Sequence, residues 1–410
     1  MTLQLSQDQQ AAYDKMVDFI CDPSKTAFVL EGYAGTGKST LMQHFLDQLS
    51  KMNKTFKHLN PHFREPAVEL TATTHKACEN LSDITGAHVP TIHSILGQTL
   101  RKDFRTGKST VVDKPNFVPP ENTVIIIDEA SYLDGSLLEK CFSRTQNCKI
   151  IFMGDPAQLV PVGYKYAPVF KAGFDTARLS QVHRNGGRIL ELATKFRGVV
   201  ETGQWFNFTP DGTEVVHLDR QAFNKMIEEE FTRPEWTFKD SRFLSWTNNR
   251  AVEYNGYIRG LAKGDPNFQV GDYAVVNEYL HVGQGKDFRN NATVHITAIE
   301  PEERLGIQGA VYTINGVPVF RAYDLNEHRK AMALARREED WSAVAEMEKW
   351  ADLRALYGET VNKSQGSTYG KVFIDLDDIS RVNSGDQLAR MLYVATSRAK
   401  HQVIFTGDFV

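Results

Sequence analysis

Nowhere in its 410 residues does the chain hold an apolar run of the roughly 18 needed to cross a bilayer. The opening segment, Met1 to Ala12, is polar and lacks the apolar core of a secretory signal, so the protein is expected to stay in the compartment where it is made. Cysteine is scarce. Cys21, Cys78, Cys141 and Cys148 form no C-x-x-C pair, which argues for reduced thiols and against zinc ligands or a disulfide framework. Positive charge is not in excess either: the net charge is −4, so any nucleic-acid site must be a local groove on an acidic background. With 41% hydrophobic and 24% charged residues, composition is that of a globular protein long enough for two or three domains.

What the chain does hold is a phosphate-binding loop, Gly32-Tyr33-Ala34-Gly35-Thr36-Gly37-Lys38-Ser39. It follows the apolar run Ala27 to Leu30 and leads into a helical pattern with Leu41, Phe45 and Leu49 on one face. The glycines let backbone N–H groups surround phosphate oxygens, and the following helix N-terminus favours negative charge. Lys38 is expected to reach the β- and γ-phosphates of ATP, and the Ser39 hydroxyl to ligate Mg²⁺; Ala34 and Thr40 complete the nucleotide-binding stretch.

Short, continuous apolar runs predict strands buried on both faces, as in a parallel sheet. Ala27–Leu30, Ala67–Leu70, Val124–Ile127 and Ile150–Met153 supply a first doubly wound α/β domain. Phe243–Trp246, Val372–Leu376 and Val403–Thr406 supply a second one without its own phosphate loop. Between Leu261 and Gly358 the texture changes. Gln269–Val276, Thr293–Ile299, Ala310–Ile314 and Val317–Ala322 read as short antiparallel strands of a small inserted β-barrel. Asn326 to Tyr357 then reads as helix, which would set Trp341 and Trp350 on opposite sides for packing or for contact with a partner or DNA. A smaller insertion, from Thr99 to Pro120, carries Arg101, Lys102, Arg105, Lys108 and Lys114 against only Asp103 and Asp113. Arg105-Thr106-Gly107-Lys108 suits a hairpin turn, and the hairpin is either a solvated surface element or a basic pin near a duplex, with Phe104 placed to stack on a base.

Asp128-Glu129 closes the strongest apolar run; the Asp can hold Mg²⁺ through its water shell and the Glu can activate the attacking water. Gln158, after Gly154-Asp155-Pro156-Ala157, can sense the γ-phosphate without adding charge. Arg184, in Leu179-Ser180-Gln181-Val182-His183-Arg184, and Arg398, in Tyr393-Val394-Ala395-Thr396-Ser397-Arg398, are placed to stabilise charge developing in phosphoryl transfer.

This ordered set resembles superfamily 1 helicases, and within them the 5′-to-3′ branch of RecD- and Dda-like enzymes, from Leu5 to the C-terminus. Leu5-x-x-x-Gln9 resembles the branch's adenine-reading motif. Thr73-Thr74-His75-Lys76-Ala77 and Thr91-Ile92-His93-Ser94-Ile95-Leu96 resemble its first DNA-contacting motifs. In the second half, Thr247, Asn248 and Asn249 fall in a similar DNA-contacting segment, and Thr360-Val361-Asn362-Lys363-Ser364-Gln365-Gly366-Ser367 resembles the motif that spans DNA and nucleotide. Lys363-Ser364-Gln365-Gly366 and Asp155-Pro156-Ala157-Gln158-Leu159 carry the branch assignment.

The resemblance implies two RecA-like domains of the P-loop NTPase fold, in the α/β class, bounded at 1–185 and at 186–262 plus 358–410. It places the hairpin at about 99–120, an SH3-like barrel at about 266–325 and a helical extension at 326–357. It further implies Mg-ATP as cofactor, single-stranded DNA and single-/double-strand junctions as partners, and a single-strand-binding or replisome protein as the class of protein partner. A monomer in the bacterial cytoplasm or a phage-infected host is expected, serving replication, recombination or repair. A translocase that strips proteins with little unwinding is the main alternative. A small-molecule kinase would not need the second α/β half, and an ATP-gated clamp would not need Glu129 and both arginines. Two positions depart from the branch: Asn362 stands where His is usual and Thr73 where Pro is usual. The expectation is that neither departure touches the nucleotide chemistry.

Overall fold

The computed structural model describes residues 5–60, 62–102, 109–182, 187–265, 267–282 and 287–408, with the side chains of 100–102 and 109 left undescribed. Contacts divide the chain into two compact units: Met1–Thr99, Val111–Phe208 and Ser384–Ser397 form the first, and Leu100–Thr110, Thr209–Asn383 and Arg398–Val410 the second. This division falls elsewhere than the boundary expected at 185/186, because the helix Arg188–Thr202 packs on the helix Gly385–Ser397 within the first unit.

The first unit is built on a five-stranded sheet in the order Ala67–Ala72, Thr123–Asp128, Lys149–Gly154, Ala27–Gly32, Asp175–Leu179, parallel throughout. Alternate residues of these strands feed two cores. Phe28, Leu30, Ile126 and Ile151 face one side with Phe19 and Phe45, while Val29, Ile125, Ile127 and Phe152 face the other with Ile92 and Leu133. Burial on both faces is what the unbroken Val124–Ile127 run requires. Parallel pairing also sets the C-terminal ends of Ala27–Gly32, Thr123–Asp128 and Lys149–Gly154 along one sheet edge, where chemistry gathers in open α/β sheets.

The second unit repeats the plan. Its parallel sheet runs Gly358–Thr360, Ser241–Ser245, Tyr369–Asp375, Ala399–Thr406, Val215–Leu218. An inserted antiparallel sheet of five strands runs Val317–Ala322, Ile307–Ile314, Thr293–Arg304, Tyr273–Val276, Leu353–Arg354. Gln98–Lys102 and Ser109–Asp113 form a separate two-stranded sheet. The tip residues Phe104, Arg105 and Lys108 lie outside the described residues, as do the side chains of Arg101 and Lys102.

The expected helix from Asn326 to Tyr357 is broken. It is two helices, Leu325–Arg337 and Trp341–Met347, because Glu339 takes a left-handed backbone and Asp340 caps the new N-terminus by accepting from the Ala343 N–H. Trp341 and Trp350 therefore do not share one helix. Trp350 is buried edge-on against Phe320, with ring centroids 4.5 Å apart, while Trp341 is exposed.

Candidate functional site

The phosphate loop leaves the strand Ala27–Gly32 and turns through Gly35 and Gly37, at φ 82° and 80°, into the helix Lys38–Leu59. Both conformations favour glycine. Gly32 is required for a different reason: a Cβ there would lie 2.7 Å from Thr36 Oγ1 and 2.9 Å from Lys38 Cγ. Lys38 Nζ donates to the carbonyls of Gly32, at 2.6 Å, and Tyr33, at 3.2 Å. Ser39 and Thr40 open the helix. Gln9 sits against the loop, its Nε2 donating to Thr36 O at 3.2 Å while its Oε1 accepts from the Ser6 N–H.

Asp128 and Glu129 stand at the end of Thr123–Asp128, two strands from the loop. Burial raises the Asp128 carboxyl above the usual carboxylate range, against the pull of Lys38 and of the Glu129 N–H it accepts at 2.8 Å. Ser39 and Asp128 offer hard oxygen donors, a set that suits Mg²⁺, which keeps several waters and leans on substrate phosphates. Glu129 has φ 51° and ψ 41°, an uncommon backbone for a residue with a side chain. Gln158 is buried beyond the end of Lys149–Gly154.

Sequence reading assigned no role of their own to two acidic residues that organise this edge. Fully buried Asp155 accepts from the Tyr393 hydroxyl at 2.6 Å and the Ala34 N–H at 3.1 Å through Oδ2, and from the Ala157 N–H at 2.9 Å through Oδ1. It thus ties the phosphate loop, the segment leading to Gln158, and the helix Gly385–Ser397. Asp8 accepts from the Ser180 and Gln181 N–H groups at 2.9 and 3.0 Å, fixing the start of the segment that leads to Arg184. Burial opposes its ionisation, but the bonds from Gln181, Ser6, Ser180 and Gln9 together hold its carboxyl below the usual range. Arg184 itself lies outside the described residues.

Thr73 lies against the Asp-Glu pair: its hydroxyl donates to Glu129 O at 2.9 Å and its N–H to Asp128 O at 3.3 Å, so this departure from the branch touches the backbone of both acidic residues.

The residues expected to meet DNA take the same arrangement in each unit. Thr74 follows the strand Ala67–Ala72 and caps the helix His75–Thr85, accepting from the Ala77 N–H at 3.2 Å; Thr91, bridged in parallel to Ala72, precedes the short helix Ile92–Ile95. In the second unit Thr247 follows Ser241–Ser245 and caps Asn248–Lys263, accepting from the Arg250 N–H. Thr360 is paired in parallel with Ser245 and precedes the short helix Val361–Ser364. His93 lies on the first short helix, Asn362 and Lys363 on the second, and exposed Asn248 and Asn249 open the long one. Burial lowers the His93 pKa against the pull of Asp134, so its ring is neutral at pH 7. Burial and Arg354 likewise lower Lys363, whose Nζ donates to Asn277 Oδ1 of the inserted region at 2.9 Å. The Thr247 hydroxyl donates to Asp378 at 2.7 Å. Gly366 turns at φ 78°, and Arg398, buried, donates to Ser367 O at 3.3 Å.

A phosphate loop, a strand-end Asp-Glu pair and a second parallel-sheet unit define a P-loop NTPase of the helicase class. The profile of the AAA-domain family matches residues 4–209, just over half of the chain, and that of the UvrD-like helicase C-terminal domain matches 355–406. The chain belongs to the AAA-domain family, as a superfamily 1 helicase of the RecD and Dda type. The ATP-dependent DNA helicase dda of Enterobacteria phage T4 is 24% identical, over 98% of this chain and 99% of its own length. An uncharacterized protein, R530, of Acanthamoeba polyphaga mimivirus is 22% identical over 97% and 98%. Among solved structures, a Pif1 helicase from Bacteroides in complex with ADP-AlF3 and single-stranded DNA superposes with a TM-score of 0.56 at 16% identity, covering 100% of this chain and 93% of that one, a likeness of fold.

Proposed function

We propose that this superfamily 1 helicase moves 5′-to-3′ along single-stranded DNA and separates duplexes ahead of it, driven by Mg-ATP hydrolysis. The observation that carries the reading is the repeated pair of strand-end threonines. Thr74 beside Thr91 in one unit, and Thr247 beside Thr360 in the other, present helix starts and hydroxyls at equivalent sheet positions. Two equivalent grips suit a regular sugar-phosphate backbone and carry no sequence preference.

Lys38 and the phosphate loop hold the triphosphate; Ser39 and Asp128 would hold Mg²⁺, which would supply neutralisation of phosphate charge. Glu129 orients and deprotonates the attacking water. Arg184 and Arg398 stabilise the charge that develops as the γ-phosphoryl leaves. Thr74, His75, Thr91 and His93 on one unit, and Thr247, Asn248, Asn249, Thr360, Asn362 and Lys363 on the other, hold DNA in alternation. The relative named ATP-dependent DNA helicase dda supports this reading. The two-stranded sheet of Gln98–Lys102 and Ser109–Asp113 belongs to the pin, and the inserted antiparallel sheet acts as the SH3-like domain of the branch.

The test is strand separation on two partial duplexes that differ only in a 5′ or a 3′ single-stranded tail. Opening of the 5′-tailed substrate alone is expected, and opening of the 3′-tailed one would overturn the polarity. ATP hydrolysis stimulated by single strands without opening of either would leave a translocase that displaces bound proteins. Lys38→Ala should abolish hydrolysis and opening together.

A further inference from the structure

We propose that Thr73 is a positioning residue for hydrolysis: its hydroxyl fixes the backbone of Glu129 and links the Thr74–His75 segment to that residue. The assignment rests on the reading of Glu129 as the residue that activates water. Glu129 adopts a left-handed backbone, φ 51° and ψ 41°. A non-glycine residue keeps such a conformation only where its surroundings hold it, and such positions cluster at functional sites. Four bonds hold this one. Asp128 Oδ1 accepts from the Glu129 N–H at 2.8 Å; the Glu129 carbonyl accepts from the Thr73 hydroxyl at 2.9 Å and from the Tyr132 N–H at 3.1 Å; and the Asp128 carbonyl accepts from the Thr73 N–H at 3.3 Å.

Thr73 is well placed to do this because Ala72 pairs in parallel with Asp128, so the next residue along each strand meets its counterpart. The other side of Thr73 is Thr74, the cap of the helix His75–Thr85. One peptide bond therefore separates the Glu129 contact from the first residue proposed to grip DNA. Proline, the usual residue of the branch here, has neither an N–H nor a hydroxyl and could make neither bond. In this chain the Glu129 backbone is held from the DNA-gripping turn by a side chain.

The experiment is steady-state ATP hydrolysis by the full chain, with and without oligo(dT), for Thr73→Val, Thr73→Ser and Thr73→Ala. Valine keeps the shape and the N–H but loses the hydroxyl, serine keeps the hydroxyl, and alanine is the second hydroxyl-free variant should valine fail to fold. Thr73→Val should lower kcat roughly ten- to a hundredfold, the scale of a misplaced catalytic group. The KM for ATP and the melting temperature should stay near wild type, and Thr73→Ser should restore most of the rate. Unchanged kcat in both hydroxyl-free variants, or equal loss in valine and serine, would overturn the assignment, as would a loss confined to KM. If DNA fails to stimulate the wild-type enzyme, the helicase reading fails; the kcat values without DNA still decide the role of Thr73.

Discussion

Charge and neutrality divide the work among the residues proposed to meet DNA, and a salt titration can tell them apart. Lys363 is the charged member on its short helix, though burial and Arg354 lower its pKa and Asn277 shares its proton donors. His93 is neutral at pH 7 because burial lowers it further from an ordinary histidine. Each phosphate neutralised on a single strand contributes about 0.7 to the slope of log affinity against log salt. Lys363→Ala should therefore flatten the slope for single-stranded DNA by about 0.7, while His93→Gln, measured at pH 7.5, should weaken binding without changing it. Equal slopes for wild type and Lys363→Ala would take Lys363 off the phosphate backbone. Lowering the pH should bring a His93 contribution to the slope only below the usual histidine range, since a depressed pKa means the ring charges later on the way down.

At the scale of elements, the threonine caps hold the fold as well as the site. Thr247 accepts from the Arg250 N–H and donates to Asp378, which also accepts from the N–H groups of Trp246 and Thr247 at 2.7 and 2.8 Å. Thr247→Ala should cost about 1 kcal/mol from the lost cap, read as a melting temperature lower by about 2–4 °C in a unit of this size. A variant as stable as wild type would show that water replaces both bonds. Legibility also varied by element. Strands were plainest where both faces are buried and the apolar run is unbroken, as in Val124–Ile127 in the middle of the first sheet. Asp175–Leu179, Val215–Leu218 and Gly358–Thr360 escaped notice; all three are sheet edges, and they are short or carry charged and polar residues. The break before Trp341 did have a signal, an Asp at the cap position, hidden inside a run of good helix formers. In the site, motifs local in sequence were readable. The bonds of Asp155 to Ala34 and Tyr393, and of Thr73 to Glu129, join segments whose spacing carries no pattern.

Across the whole molecule, the chain passes between its two units at a residue proposed to act on the nucleotide. The helix Gly385–Ser397 belongs to the first unit, where Arg390 donates to the Pro156 and Gln158 carbonyls at 2.8 Å, whereas Arg398 and the strand Ala399–Thr406 belong to the second. The finger role proposed for Arg398 concerns hydrolysis, whereas nucleotide binding is assigned to the phosphate loop. Arg398→Ala should accordingly bind ATP with near-normal affinity and lose most of its DNA-stimulated turnover, on the order of 10³-fold if it acts as an arginine finger. Arg398 is buried and bonded to Ser367 O, so loss of turnover alone could reflect a disturbed fold. Arg398→Lys separates the two causes: lysine keeps the charge but not the planar fork. A lysine variant that melts like wild type yet remains slow places the loss in the chemistry. Near-normal turnover in Arg398→Ala would remove the residue from the finger role and leave that role to Arg184.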